Sequence, residues 1–187
     1  MSAQTDQAII EATTALLAER SLSEISLDDV ATRARVSKAS IYRRWPSKGT
    51  LAFTAFVTTF LRSQPLPDSG RLERDLLITL RNWVRAVDGT PAGRTLRGLI
   101  AEVQRDPDLA TTWRHQFVEP VRAGHLKMTE RAIARGELPE SADANLLLDL
   151  LFGPAYHRFL QGHLPLNASF VRGTVAAIIA AVSVGGI

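Results

Sequence analysis

Residues 26–51 read SLDDVATRARVSKASIYRRWPSKGTL, and this stretch carries the start and stop signals of three successive helices. Ser26 precedes two aspartates, which is typical of a helix N-terminus because the hydroxyl caps the first turn and carboxylates favour the positive end of the helix dipole. Ser37 is placed to cap a second short helix, which Pro46 ends, and Ser47 caps the next one. Two short helices joined by a tight turn are predicted, as in a helix-turn-helix.

The predicted third helix, residues 38–45, has two distinct faces. Ile41 and Trp45 are four residues apart, so they share one side and are expected to pack against the apolar residues of the preceding helix. The opposite side presents small, polar and basic side chains, flanked by Tyr42 and Arg44. A short helix that follows a tight turn and exposes a basic face is typical of an element that enters the DNA major groove.

Positive charge is concentrated around this helix. Residues 33–48 contain six lysines and arginines and no acidic residue, whereas the whole 187-residue chain has a formal net charge of only +3. The whole-chain value does not single out nucleic acid as a partner. The local cluster is compatible with a solvated basic surface and with a phosphate-binding surface, and charge alone does not decide between them.

The composition bounds the class of protein. A chain of 187 residues with 45% hydrophobic content is long enough to bury a substantial core, and the lack of cysteine excludes disulfides and thiolate metal sites. The first ten residues lack the pattern of a signal peptide, and no apolar run reaches the roughly 18 residues of a membrane span. We therefore expect a cytoplasmic protein with no membrane partner, no cofactor and no metal.

Apolar residues recur at three- and four-residue spacing along almost the whole chain, which predicts an all-α fold of about nine helices. The first helix is predicted to start at a cap on Thr5 or Asp6 and to end at Arg20. Three helices within residues 1–48 would form a helix-turn-helix head. A fourth helix, at about 47–63, would lead away from it.

The remaining residues, 64–187, are predicted to form a C-terminal helical bundle. The segment RSQPLPDSGR at 62–71 contains two prolines and a glycine, which indicate a loop. A long helix that begins near Pro107 is expected to be kinked at Pro120 and to stop at Gly136.

Residues 26–51 resemble the N-terminal signature of the TetR family of transcriptional regulators. The similarity lies in the Ser-Leu-x-x-Val-Ala opening of the second helix, the Val-Ser-Lys turn, the Ile-Tyr pair, the aromatic Trp45 and the Ser-Lys-x-x-Leu start of the fourth helix. It covers about the first third of the chain, and the rest is similar only in being an all-helical body of suitable length. The resemblance implies a repressor that binds a palindromic operator in double-stranded DNA as a dimer and is released by a small-molecule effector of unknown identity.

The resemblance also implies which residues contact DNA. Those expected to face the major groove are Ser37, Lys38, Ala39, Ser40, Tyr42 and Arg43. Tyr42 and Lys48 are the expected phosphate contacts. The residues expected close to the DNA backbone are Thr32, Arg33 and Arg44. Arg43 is predicted to read a base, because a guanidinium pairs with guanine through two hydrogen bonds, and one more phosphate contact is the equal alternative.

Two positions depart from the family pattern. Arg35 stands in the turn where similar proteins often have glycine, which tolerates a positive φ that arginine does not. The turn is therefore strained or differently shaped, or Arg35 adds a phosphate contact. Gly49 stands where many relatives carry an acidic residue.

The last two predicted helices, about 142–162 and 168–183, are apolar around most of their circumference. A helix of this kind lies in the middle of a bundle or meets a second subunit. The pair resembles the two C-terminal helices through which the family dimerises, so a homodimer through them is predicted. Two-fold symmetry would place two DNA half-sites one helical turn, or a multiple of it, apart.

Large or polar residues on helices that should line the bundle interior are candidates for an effector pocket, as the resemblance implies. They are Trp83, Gln104, Trp113, Gln116, Phe117, Met128 and Tyr156. An ordinary core or surface position is the alternative for each of them, since pockets are few and mostly apolar.

Other functions stay open. A helical-bundle enzyme would use Asp149, His157 or Glu102 for acid–base chemistry, but the sequence has no phosphate-binding glycine loop, nucleophile elbow or His-Glu-x-x-His motif. The four histidines lack the close spacing of a helical metal site. An architectural DNA-binding protein without a ligand, or an activator instead of a repressor, is the other alternative.

Overall fold

The computed structural model describes residues 3–60 and 66–183, and within these ranges the chain is all helical, which confirms the predicted fold class. The α-helices are α1 (Ala3–Glu19), α2 (Leu27–Ala34), α3 (Lys38–Tyr42), α4 (Lys48–Phe60), α5 (Leu72–Val87), α6 (Pro91–Val103), α7 (Pro107–Trp113), α8 (Glu119–Ala134), α9 (Ala144–Gln161) and α10 (Ala168–Ser183). A π-helical segment, Arg114–Val118, joins α7 to α8. With 107–134 counted as one interrupted helix, the described residues contain nine helices, as predicted.

The described residues fall into two compact units. The first holds residues 3–60 together with 89–117, and the second holds 66–88 together with 118–183. The helices of the predicted head therefore share a unit with α6 and α7, which come much later in the chain.

In the first unit, α1 packs against α2, α4 and α6, and α4 also contacts α6 and α7. The largest nearly fully buried side chains of this unit are Ile9, Leu22, Ile41, Leu51, Phe53, Leu96, Leu99 and Leu109. Gly98 allows α6 to approach the loop after α1 closely, since a Cβ at this position would lie 2.9 Å from the Cβ of Leu22. α2 packs against α1 at the edge of this core, and α3 packs against α2.

The ends of the first and fourth helices were predicted only in part. α1 already includes Ala3, so Thr5 and Asp6 lie within the helix and the prediction that one of them caps it is wrong. α4 is described as far as Phe60, and its predicted end at residue 63 lies outside the described residues.

The third helix is shorter than predicted. It ends at Tyr42 and not at Trp45. The reason is that the N–H of Arg44 bonds to the carbonyl of Ile41, three residues back, which tightens the last turn before Pro46. The two arginines of the segment thus lie in a turn and not within a regular helix.

The long helix is interrupted by the π-helical segment Arg114–Val118 and not at Pro120, where the kink was predicted. Pro120 itself lies in the first turn of α8, where its missing N–H is tolerated. The predicted stop is confirmed, because α8 ends at Ala134 and Gly136 follows with a left-handed φ of 74°.

In the second unit, α5 packs against α8, α9 and α10, and α9 also contacts α8 and α10. The predicted apolar side of α5 is buried and consists of Leu72, Leu76, Leu80 and Val84. α9 buries one side in this core but leaves three leucines exposed on the other, namely Leu146 (42%), Leu150 (39%) and Leu160 (44%). Residues 3–60 and 66–183 contain no helix that could span a membrane.

Candidate nucleic-acid interface

The start of α2 is fixed by a reciprocal pair of hydrogen bonds. Ser26 Oγ accepts the N–H of Asp29 at 3.1 Å, and the Asp29 carboxylate accepts the N–H of Ser26 at 2.8 Å. This is a capping box, and it satisfies two N–H groups that the helix itself leaves without a partner. The hydrogen bonds from the Ser26 hydroxyl and N–H also lower the pKa of the Asp29 carboxyl. The predicted cap is confirmed.

The end of α2 is a left-handed turn at Arg35, which has φ 56° and ψ 44°. The N–H of Val36 donates to the carbonyl of Ala31 at 3.0 Å, and the N–H of Arg35 donates to that of Thr32 at 3.3 Å. These two bonds form a Schellman motif, which is usually completed by glycine. Arg35 therefore has the conformation that glycine would adopt, so of the two backbone alternatives the turn is strained and not differently shaped.

α3 is held by its cap and by its buried side. Ser37 Oγ accepts the N–H of Ser40 at 3.2 Å. Ile41 is fully buried and Trp45 is 8% exposed, and the indole N–H of Trp45 donates to Thr54 Oγ1 at 3.0 Å. The packing role predicted for these two side chains is confirmed, and the opposite side of α3 consequently faces solvent.

The residues predicted to contact DNA lie mostly on this solvent-facing surface. The exposed ones are Thr32, Arg33, Ser37, Lys38, Ala39, Tyr42, Arg43 and Arg44, and the half-buried ones are Ser40 and Lys48. Tyr42 is 50% exposed, which is a large fraction for an aromatic side chain. The fold thus gathers the exposed residues on α2, on α3 and on the turns beside α3.

Three of the predicted cationic contacts are paired with carboxylates of the same unit. The pairs are Arg33 with Glu19, Lys38 with Asp28 and Arg44 with Asp6. Arg33 donates two hydrogen bonds to Glu19, at 2.6 and 2.8 Å, and this interaction lowers the pKa of the Glu19 carboxyl. The hydrogen bond to Asp28, at 2.9 Å, raises the pKa of Lys38. The side chains of Glu19 and Asp28 are exposed, whereas that of Asp6 is only 20% exposed. Solvent-exposed ion pairs contribute little to stability.

These acidic partners were not predicted from the sequence. Asp6 and Glu19 belong to α1, and only the packing of α1 in the first unit brings them to the basic segment. Asp28 was noted only for its place near the positive end of the α2 dipole. No spacing pattern in the sequence signals these three pairs.

The start of α4 explains two further residues. Lys48 Nζ donates to the carbonyl of Ile25 at 3.0 Å, which uses one of the three ammonium hydrogens. Gly49 is buried, and a Cβ at this position would lie 3.0 Å from Leu109 Cδ2 and 3.9 Å from Glu102 Cβ. The close packing of α4 against α6 and α7 therefore accounts for glycine here.

The residues predicted to line an effector pocket are divided between the two units. In the first unit, the ring centroids of Trp113 and Phe117 lie 4.7 Å apart. They belong to an aromatic cluster that also contains Phe53, Phe56 and Phe60. The other two candidates of this unit, Gln104 and Gln116, are exposed to solvent.

The second unit holds the remaining three candidates. The rings of Trp83 and Tyr156 lie 4.9 Å apart, and burial raises the pKa of the Tyr156 hydroxyl. Met128 is 1% exposed, and its sulfur lies 4.0 Å from Thr79 Oγ1. Each unit thus contains a compact aromatic group from the predicted set.

Asp149 and two of the four histidines have partners within the second unit. Asp149 is paired with Arg122 at 2.8 Å. The rings of His157 and His163 lie 4.9 Å apart, because the left-handed Gly162 turns the chain at the end of α9. Within residues 3–60 and 66–183, no group of three or more histidines and carboxylates is arranged to hold a metal ion.

Comparisons with known proteins agree with this architecture. Residues 9–55 match the family described as "Bacterial regulatory proteins, tetR family", and residues 66–178 match "Tetracyclin repressor-like, C-terminal domain". The HTH-type transcriptional regulator YdeS of Bacillus subtilis (strain 168) is 33% identical over 171 residues, which covers 91% of this chain and 86% of that protein. The DNA-binding transcriptional repressor TetR of Mycobacteroides abscessus is 30% identical over 149 residues, with 78% and 76% covered.

Among solved structures, the TetR family transcription regulator SCO0332 superposes with a TM-score of 0.82 at 30% identity, covering 98% of both chains. Proteins of this kind are transcriptional regulators and not enzymes; they bind DNA and typically act as dimers with small-molecule effectors. The helix-turn-helix geometry, both domain matches and the full-length relatives agree, and the chain belongs to the TetR family of transcriptional regulators.

Proposed function

We propose that this protein is a repressor that binds a palindromic operator as a homodimer and leaves it when a small molecule binds. The observation that carries the proposal is the division of α3 and the turn after it into a buried side and an exposed side. Ile41 and Trp45 are buried, so Tyr42 and the adjacent arginines are left on the solvent-facing side, next to the exposed start of the helix. A helix presented in this way suits insertion into a major groove.

The proposed DNA-contacting residues have distinct roles. Those placed to face the groove are Ser37, Lys38, Ala39, Ser40, Tyr42 and Arg43. Arg43 reads a base in this proposal, and a phosphate contact is its alternative role. Tyr42 and Lys48 contact phosphates, and Thr32 lies close to the DNA backbone. Arg33 and Arg44 exchange their carboxylate partners for phosphates, whereas Lys38 leaves Asp28 for the groove.

The outer side of α9 is the proposed dimer surface. Leu146, Leu150 and Leu160 are exposed there, and α10 carries small exposed residues such as Gly173 and Ala177. Exposed leucines on one helix face favour burial against a second copy. We expect Leu150→Glu to convert the dimer to a monomer in sedimentation, whereas Ala134→Glu, at an exposed position of α8, leaves it unchanged.

Release by an effector is supported by the aromatic groups of the two units and by relatedness to a protein named as a repressor. Binding of a small molecule beside these rings would change the separation of the two DNA-binding heads in the dimer. The operator is then released because the effector prefers the conformation with low DNA affinity.

The DNA-binding part is tested by fluorescence anisotropy with a duplex from immediately upstream of the gene. The parent is expected to bind selectively, with affinity that falls steeply as salt rises. Arg43→Ala should weaken binding about 5- to 150-fold, since a bidentate base contact is worth about 1–3 kcal/mol. The matched control is Arg74→Ala, at an exposed position of α5. Equal affinities of the folded Arg43→Ala and parent proteins would refute this site.

The effector part is tested by a thermal-shift screen followed by the same titration. A compound that binds only the native protein raises its melting temperature. A compound that does so and also weakens DNA binding supports a released repressor. A stabilising compound that leaves DNA binding unchanged, or a screen without any stabilising compound, favours a DNA-binding protein without an effector.

A further inference from the structure

Arg35 has a backbone conformation that only glycines share elsewhere in the described residues. Its φ is 56°, whereas the other positive φ angles of residues 3–60 and 66–183 belong to Gly70, Gly89, Gly136 and Gly162. For an L-residue with a side chain this region brings Cβ close to the following carbonyl oxygen. The turn between α2 and α3 therefore holds arginine at a position where glycine would be less strained.

No side-chain contact within the described residues calls for an arginine there. The turn is closed by the N–H groups of Arg35 and Val36, which any residue except proline would supply. The Arg35 side chain is exposed, and no hydrogen-bond or ion-pair partner for its guanidinium is found in the described ranges. Strain without an internal compensating contact points to a role in binding.

The ion pairs of the neighbouring cations indicate what kind of ligand Arg35 can bind. Arg33, Lys38 and Arg44 are already engaged by carboxylates, whereas the Arg35 guanidinium has all five N–H donors available to an acceptor. Arg35 also lies two residues before Ser37, at the end of α3 that meets base edges in helix-turn-helix complexes.

Resting on the proposed function, we infer that Arg35 is an additional phosphate contact of the operator complex. Guanidinium donors form strong, often bidentate hydrogen bonds to phosphate oxygens. Arg35 does not have to break an ion pair with a carboxylate before it binds a phosphate. Its full charge therefore contributes to counterion release. The strain in the turn is then a cost in stability that the protein bears for DNA affinity.

Substitution of Arg35 tests the inference, because stability and DNA affinity should move in opposite directions. Arg35→Gly is expected to melt at or above the parent temperature yet to bind the upstream duplex about three- to tenfold more weakly, with the salt slope reduced by about one. Arg35→Asn, neutral and tolerant of the left-handed region, should bind as weakly as Arg35→Gly. Arg35→Lys should keep the parent salt slope.

The same titration separates failure of this inference from failure of the proposed function. If the parent shows no selective, salt-dependent binding, the proposed function fails. If the parent binds and Arg43→Ala weakens it, but Arg35→Gly and Arg35→Asn keep the parent affinity and salt slope, only the role of Arg35 is overturned. A loss of affinity in Arg35→Lys equal to that in Arg35→Asn would also overturn a charge-based contact.

Discussion

Two helices of this molecule end in the same hydrogen-bonded turn but with different residues at its left-handed position. After α2, Val36 donates to Ala31 and Arg35 is left-handed. After α8, Glu137 donates to Ala132 at 2.9 Å and Gly136 is left-handed, with φ 74°. The chain therefore uses glycine in one copy of the motif and tolerates arginine in the other.

The connections from these two turns to the next helix differ in length. Ser37 caps α3 with only Val36 between it and Arg35, whereas six residues separate Gly136 from Asp143, which caps α9. The short connection leaves α3 little freedom relative to α2. The long one allows the chain to relax before the next helix begins. The strained residue thus lies where two helices must keep a fixed geometry, with caps on both sides to impose it.

The largest expected effect comes from removing the side chain that anchors α3. Ile41 is fully buried, so Ile41→Ala loses packing and leaves a cavity that should lower the free energy of unfolding by about 2–5 kcal/mol. Ile41→Val, which removes one methylene group, is expected to cost about 0.5–1.5 kcal/mol. Urea unfolding measures both. If Ile41→Ala lowers the free energy of unfolding by less than Ile41→Val does, then the caps alone hold α3 in place.

The next largest effect is expected when arginine replaces glycine in the turn after α8. Gly136→Arg should lower the free energy of unfolding by about 1–2 kcal/mol from left-handed strain. Crowding adds nothing, because a Cβ at Gly136 has no atom within 4 Å. Gly136→Asn is the control and should cost less, since asparagine tolerates this region. If Gly136→Arg unfolds at the same urea concentration as the parent, the turn after α8 changes conformation to avoid the strain. The two turns then differ in how firmly they hold the left-handed residue.

The reciprocal substitution should have a smaller effect of opposite sign. Arg35→Gly relieves the strain, but glycine gains freedom in the unfolded chain, and the favourable position of a cation near the C-terminus of α2 is lost. We expect a net gain of about 0.5 kcal/mol in the free energy of unfolding. Guanidinium unfolding of the two reciprocal variants side by side measures the difference. A clear loss in Arg35→Gly would show that the arginine stabilises its own turn.

The helix caps and stops at these turns could largely be predicted from the sequence. Ser26 and Ser37 were predicted as caps from residue type and position, and the stop at Gly136 was expected from glycine's tolerance of positive φ. The burial of Ile41 and Trp45 was expected from helical spacing. Each of these features is decided by a few neighbouring residues, which is why sequence reasoning reaches them.

Features set by packing between distant segments were not visible. The pairing of Arg44 with Asp6 depends on where α1 lies, and the grouping of α6 and α7 with the head depends on contacts across the first unit. In the last turn of α3 the carbonyl of Ile41 accepts the N–H of Arg44 as well as that of Trp45, and residue types alone do not predict this shared acceptor. The DNA- and effector-contacting residues stay predictions, since they require a partner to be seen.

The last expected effect, no larger than that of Arg35→Gly, concerns how the stability contributed by Glu137, in the turn after α8, depends on pH. Burial alone would raise the pKa of Glu137, but hydrogen bonds from the Leu72 N–H at 2.7 Å and from Arg135 at 2.5 Å outweigh it, and the pKa is lowered. A carboxyl with a depressed folded-state pKa contributes stability above its unfolded value, about 4.3, and loses it as pH falls through the folded value. Because the side chain is 30% exposed, we expect Glu137→Gln to cost only about 0.5 kcal/mol at pH 7. The difference from the parent should shrink as urea unfolding is repeated down to about pH 3. If the difference in the free energy of unfolding between Glu137→Gln and the parent is the same at pH 7 and at about pH 3, Glu137 acts through its shape and not through its charge.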